Sequence, residues 1–134
     1  MSKKRLKPRK SEKKKINTSS LTETKIDYPI FCFKHLQINF NGDNKFYFDF
    51  IERLNKLSNL SWKQINLAHR HGFGTEKIPV GQIKPDLPNF ITPDVKNLLV
   101  FRASGDNRPF LGIRKDNIFH IVFIEERFGD VYNH

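Results

Sequence analysis

Two imidazoles and a guanidinium stand together in His69-Arg70-His71-Gly72-Phe73-Gly74, followed closely by Glu76 and Lys77. Imidazoles titrate near neutral pH and a guanidinium keeps its charge, so this composition beside flexible glycines suits contact with a phosphate or a flipped base. The same residues also fit the end of a helix, whose dipole favours cations and whose last turn often closes on glycine. A further histidine, His120, sits in the apolar run from Ile118 to Glu125, which reads as a strand. Alternation places Ile118, Val122 and Ile124 on its own face and Phe119, Ile121 and Phe123 on the other. Turned towards helices it is a buried, hydrogen-bonded side chain; on an open face its titration range suits general acid-base work.

Other chemistries find less support. Cys32, His35, His69 and His71 can be drawn as a zinc set, but Cys-x-x-His in a strand splays the pair and no second cysteine exists. The carboxylates do not cluster like those of a metal-dependent nuclease. There is no P-loop, dinucleotide fingerprint or nucleophile elbow. No metal or other cofactor is expected.

The net charge of +10 points to a polyanionic partner, and its placement matters more than its size. Residues 1–26 hold ten Lys/Arg, among them Lys3, Lys4, Arg5, Lys13, Lys14 and Lys15, against Glu12 and Glu23. The remaining 108 residues are close to neutral, at +2. With few apolar residues to bury, residues 1–26 read as a disordered basic arm that can attract RNA, DNA, the ribosome or an acidic protein, on nucleic acid by releasing counterions from phosphates. The same lysines also serve as a solubility tail or an address. No window is apolar and long enough for a membrane span, and no signal-peptide core follows the basic start, so no membrane partner and a cytoplasmic location are expected. The lone Cys32 allows no internal disulfide and fits a reducing compartment.

Residues 27–134 read as a single α+β domain that must position these groups. Alternating Phe31, Phe33 and then Leu36, Ile38, Phe40 give a first strand between Tyr28 and Phe40. Asn41-Gly42-Asp43 makes a turn and a helix cap. The spacing of Tyr47, Phe50, Ile51, Leu54 and Leu57 predicts a helix over 44–57. Ser61-x-x-Gln64 opens a second helix through a capping box, with Trp62 and Ile65 inside and Gly72 and Gly74 after it. Four prolines between 75 and 93 predict a long irregular connection, and Thr92-Pro93-Asp94 a single helical turn. Three antiparallel strands follow, 98–103, 108–114 and 118–125, with two helices expected on one sheet face and the other face open to a partner or substrate.

The segment from Phe101-Arg102 through Arg108, Pro109, Arg114 and His120 to Arg127 and Asp130-Val131-Tyr132 resembles the RelE/ParE superfamily of bacterial toxins. There an aromatic-Arg pair ends one strand, a Gly-containing turn leads to a second Arg, and a hairpin precedes the closing segment. The order of elements over 28–97 is similar as well. The loop at 75–93, the arm and Pro109 in a central strand depart from the compact members.

The resemblance implies a toxin of a toxin-antitoxin system that cleaves messenger RNA without a metal, often on the ribosome, with a cognate antitoxin covering the open face. It assigns Arg102 and Arg108 to the phosphate, with Arg114, Lys115 and Arg127 as second choices, and Tyr132 and His134 to proton transfer; His120 joins them as a catalytic candidate if its face is the open one. A non-enzymatic nucleic-acid-binding protein of phage or mobile-element origin, using the arm with His69, Arg70 and His71, is the rival. A ParE-like gyrase inhibitor is the third reading.

Overall fold

In the computed structural model of the chain, residues 27–134 are described. The basic arm, with Lys3, Lys4, Arg5, Lys13, Lys14 and Lys15, lies outside the described residues.

Helix α1 (Asn44–Ser58) starts where Gly42, at φ +91°, takes a left-handed turn and Asp43 accepts the Phe46 amide at 3.1 Å as N-cap. Its buried stripe is Phe46, Phe50, Leu54 and Leu57. The stripe read from the sequence contained Tyr47 and Ile51; Ile51 is 60% exposed and Tyr47 only half-buried. Three consecutive aromatics at 46–48 leave the helical phase open in sequence. In the fold Phe46 takes the inner position, with the Arg108 guanidinium 4.3 Å above its ring. Helix α2 (Trp62–Leu67) has both bonds of its capping box, Gln64 N to Ser61 Oγ at 3.0 Å and Ser61 N to Gln64 Oε1 at 2.8 Å.

Five strands form one open mixed sheet: β1 (Ile30–Cys32), β2 (Glu76–Pro79), β3 (Asn97–Arg102), β4 (Pro109–Lys115) and β5 (Ile118–Ile124), in the spatial order β1-β5-β4-β3-β2. β1 runs parallel to β5, and the other neighbours are antiparallel. The first strand is far shorter than the run from Tyr28 to Phe40. Leu36 N turns back to Phe33 O at 3.1 Å, which ends the regular pairing, and the backbone bonds to β5 again where Gln37 N donates to Val122 O at 2.8 Å. β2 lies inside the stretch expected to be irregular, so the antiparallel part has four strands, not three. Pro109 is the first residue of β4, where a missing amide costs least.

Under the two helices Phe101, Phe110 and Phe119 come from three adjacent strands. Phe101 and Phe110 stack with centroids 5.0 Å apart, and Phe31 of β1 meets all three edge-on. The opposite face was expected to be open, and it is covered. Residues 78–95 and the tail lay Ile83, Leu87, Phe90, Ile91, Val95, Val131 and Tyr132 across Leu98, Val100, Leu111, Val122 and Phe123. Those proline-rich residues are apolar at intervals, and burying them offsets the entropy of ordering a long connection.

A bulge in β5 also changes the alternation. Leu111 pairs with Phe123 while Gly112 pairs with Ile121, leaving Val122 as the extra residue. Phe123 therefore joins the loop-covered face and Ile124 the helix side, the reverse of the simple alternation. Gly112 is required here: a Cβ on it would stand 1.8 Å from the His120 carbonyl oxygen. Among the described residues no helix is long and apolar enough to cross a membrane.

Candidate nucleic-acid cleft

The 68–74 turn is built on one acceptor: the Gly72 and Gly74 amides both donate to His69 O at 2.9 Å. A Cβ on Gly74 would meet Ala68 O at 2.2 Å, so the second glycine is what lets the turn close. Arg53 of α1 ties it to the sheet, donating to Gly72 O at 3.0 Å and to Arg102 O at 3.4 Å with its guanidinium over the Phe73 ring. Arg70 and His71 are thereby carried to the end of β3, where β2 begins and the 125–134 tail returns.

The result is a cleft of about 280 Å³ lined by Arg70, His71, Glu76, Ile78, Arg102, Tyr132, Asn133 and His134. Arg102 is its deepest charge, 5% exposed. One of its terminal nitrogens pairs with Glu76, and the other donates to Asn107 O at 3.2 Å and to the Tyr132 hydroxyl at 3.4 Å. Its Nε is buried without a partner. Glu76 also receives Arg70 at 3.2 Å, so one carboxylate bridges two guanidiniums. Burial pushes the Tyr132 phenol up from its ordinary range against the opposing pull of Arg102, which keeps the hydroxyl protonated and able to donate.

The tail is held by Glu125, which is fully buried. Its Oε2 accepts the amides of Val131 at 2.7 Å and Tyr132 at 3.2 Å, and its Oε1 meets His134 Nε2. The His134 ring packs against Tyr132, centroids 4.2 Å apart, and edge-on against Phe128 at 4.8 Å.

Of the residues singled out in the sequence, Arg102, Tyr132, His134, Arg70 and His71 line this cleft together. His69 stays beside it, its ring 5.6 Å from His71 and its Nδ1 accepting the His71 amide. Arg108 does not line the cleft. It donates to Asp43 at 2.7 Å and to Glu126 O at 2.8 Å and is also paired with Asp106, clipping the α1 cap to the β3–β4 turn. This pairing holds the Asp43 carboxyl below the usual carboxylate range.

His120 is elsewhere too. It lies under the covering loop, with Phe90 at 5.0 Å and His35, itself stacked on Phe90 at 3.7 Å, at 5.8 Å. Its Nδ1 is buried without a partner. Burial first, then the charges of His35, Lys115 and Lys34, lower its pKa. Neither of the alternatives read from the sequence describes it, since its face meets the covering loop instead of the helices and the side chain stays partly exposed.

Arg114 lies 4.1 Å over the Trp62 ring and Lys115 4.6 Å over Phe90. Arg114 also lines a second hollow of about 410 Å³ with Asn66, Lys77, Lys96 and Asn97, a wall that carries cations and no carboxylate. Arg127 is exposed and paired with Asp130. Among the described residues no group of three His, Cys, Asp or Glu side chains is placed to hold a metal ion.

Sequence reading gave Glu76 no definite part and Glu125 none. Glu76 was signalled only by following the His-Arg-His turn. Glu125 shows a weak signal as an acid ending an otherwise apolar strand. No family model matches the sequence, and no curated protein or solved structure matches the chain.

Proposed function

We propose that the cleft binds an RNA phosphodiester and cleaves it without a metal, in the manner of the RNA-cutting members of the RelE/ParE superfamily that residues 98–134 resemble. What carries the reading is Arg102: a nearly buried guanidinium with an unpartnered Nε, beside the Tyr132 hydroxyl, in one cleft with His71 and His134. Cleavage requires the 2′-oxygen to attack phosphorus as the bond to the 5′-oxygen breaks, with one group taking the 2′ proton and another supplying a proton to the leaving oxygen. Arg102 and Arg70 are suited to the phosphate oxygens, the imidazoles of His71 and His134 to the proton transfers, and the Tyr132 hydroxyl to donation where negative charge develops.

The basic arm and the hollow of Lys77, Lys96 and Arg114 would attract the strand. A cognate antitoxin belongs to the same reading, although the sheet face first offered to it is covered. Glu76 favours the rival, a nucleic-acid-binding protein without chemistry, because it already neutralises Arg102. Expression of wild type, Arg102→Ala and His120→Ala with growth and RNA-cleavage mapping separates the two. Growth arrest with cleavage in wild type and His120→Ala, lost in Arg102→Ala, is the expected result. Unchanged cleavage in Arg102→Ala contradicts the placement of the site.

A further inference from the structure

We infer that Glu125 is a positioning residue that makes His134 the proton acceptor of the cleft, an inference that rests on the nuclease reading for its chemistry but not for its geometry. Glu125 is fully buried, and a buried carboxylate must have its lone pairs occupied. Two are taken by the Val131 and Tyr132 amides, and the other oxygen faces His134 Nε2. A carboxylate accepting two amides is an acceptor towards the imidazole as well, so Nε2 carries the hydrogen. Nδ1 keeps the free lone pair, on a side chain that lines the cleft.

The ring cannot easily reverse these roles. Tyr132 packs against its face, Phe128 meets it edge-on, and Glu125 fixes the third side. The carboxylate that pins the imidazole also pins the Tyr132 backbone, so one buried group sets both His134 and the hydroxyl beside Arg102. A base oriented by a third group is the arrangement that nucleophile activation generally requires. In the cleavage step, His134 Nδ1 takes the 2′-hydroxyl proton as the 2′-oxygen bonds to phosphorus. The departing 5′-oxygen takes its proton from another donor of the cleft.

The test uses the full chain. Long-range ¹⁵N–¹H correlation of the His134 ring, at a pH where the imidazole is neutral, should show hydrogen on Nε2 and none on Nδ1. In Glu125→Gln, whose amide oxygen can still accept the Val131 and Tyr132 amides, the side-chain NH2 faces Nε2 as a donor, so the ring should shift to the tautomer with hydrogen on Nδ1. Cleavage of a ribonucleotide oligomer should then fall in kcat by about 10- to 100-fold with KM unchanged, within what a placed acid-base group contributes. Hydrogen on Nδ1 in wild type, a measurement that needs no variant to fold, overturns the proposal; so does an unchanged tautomer and kcat in Glu125→Gln. The expected tautomers without cleavage by either protein support the pairing and overturn the nuclease reading alone.

Discussion

The Tyr132 hydroxyl lies 3.4 Å from Arg102 Nη1, joining the end of β3 to a tail thirty residues later in the chain. Tyr132 is 3% exposed and its backbone is fastened by Glu125, so the hydroxyl is presented to Arg102 by buried packing. Tyr132→Phe keeps the ring and removes the oxygen. It should leave the fold intact and lower RNA cleavage by about 100- to 1000-fold, the scale of losing one donor at a developing charge. An unchanged rate would remove Tyr132 from the chemistry.

Arg108 should behave in the opposite way. Arg108→Ala breaks the bonds to Asp43 and Glu126 O and removes a cation from the Phe46 ring. Thermal unfolding should shift down by roughly 4–8 °C. Cleavage per folded molecule should stay within about twofold. A stable variant without activity would put Arg108 at the substrate.

Asp43 and His120 give the fold an acid sensitivity. Asp43 is held below its unfolded value by Arg108, so its contribution is present above the ordinary carboxylate range near pH 3.9 and is lost as pH falls through the folded value. His120 is a base whose folded pKa is depressed below 6.5, mainly by burial. Its neutral form is preferred in the fold, so its contribution is complete above pH 6.5 and declines as pH falls towards the folded value. Chemical denaturation from pH 7 to pH 5 should therefore show falling stability in wild type and a flatter profile in His120→Gln. Equal slopes would refute the burial of a neutral imidazole.

Gly112→Ala tests the bulge. A Cβ 1.8 Å from the His120 carbonyl cannot be relieved by a side-chain rotation, because both groups are backbone. The variant should lose about 3 kcal/mol or more of stability or fail to accumulate in soluble form. A Tm close to wild type would show that β4 and β5 are further apart than described.

Helix starts were legible because they rest on local chemistry: the Gly42-Asp43 turn and the Ser61-Gln64 box are each written within four residues. The last three strands were legible for the same reason, as runs closed by short turns. What could not be read depends on contacts distant in sequence. The 78–95 segment looks like loop in composition, and only the apolar face it meets makes it a second core layer. The bulge at Val122 reverses the faces of Phe123 and Ile124 with no mark in the sequence. Arg102 and Arg108 look equivalent as strand-end arginines, and what separates them is partners: Glu76 and Tyr132 for one, Asp43 and Asp106 for the other.

The arm can be tested apart from the cleft. Deleting residues 1–26 should weaken RNA binding and flatten the dependence of log K on log salt by roughly 0.7 for each single-strand phosphate that the arm no longer neutralises. The cleavage position should not change. An unaltered salt slope would deny the arm its part in RNA attraction.

The central claim is tested most directly by the product. Full-length protein is incubated, free and with translating ribosomes, with RNA carrying a single 2′-deoxy substitution at the mapped cleavage position, beside the all-ribose strand and the Arg102→Ala variant. Cleavage of the ribose strand to a 2′,3′-cyclic phosphate end, abolished by the deoxy substitution and reduced about 100-fold or more in Arg102→Ala, is the predicted result. Equal cutting of the ribose and deoxy strands, or no cutting of either by the folded wild type under both conditions, would contradict it.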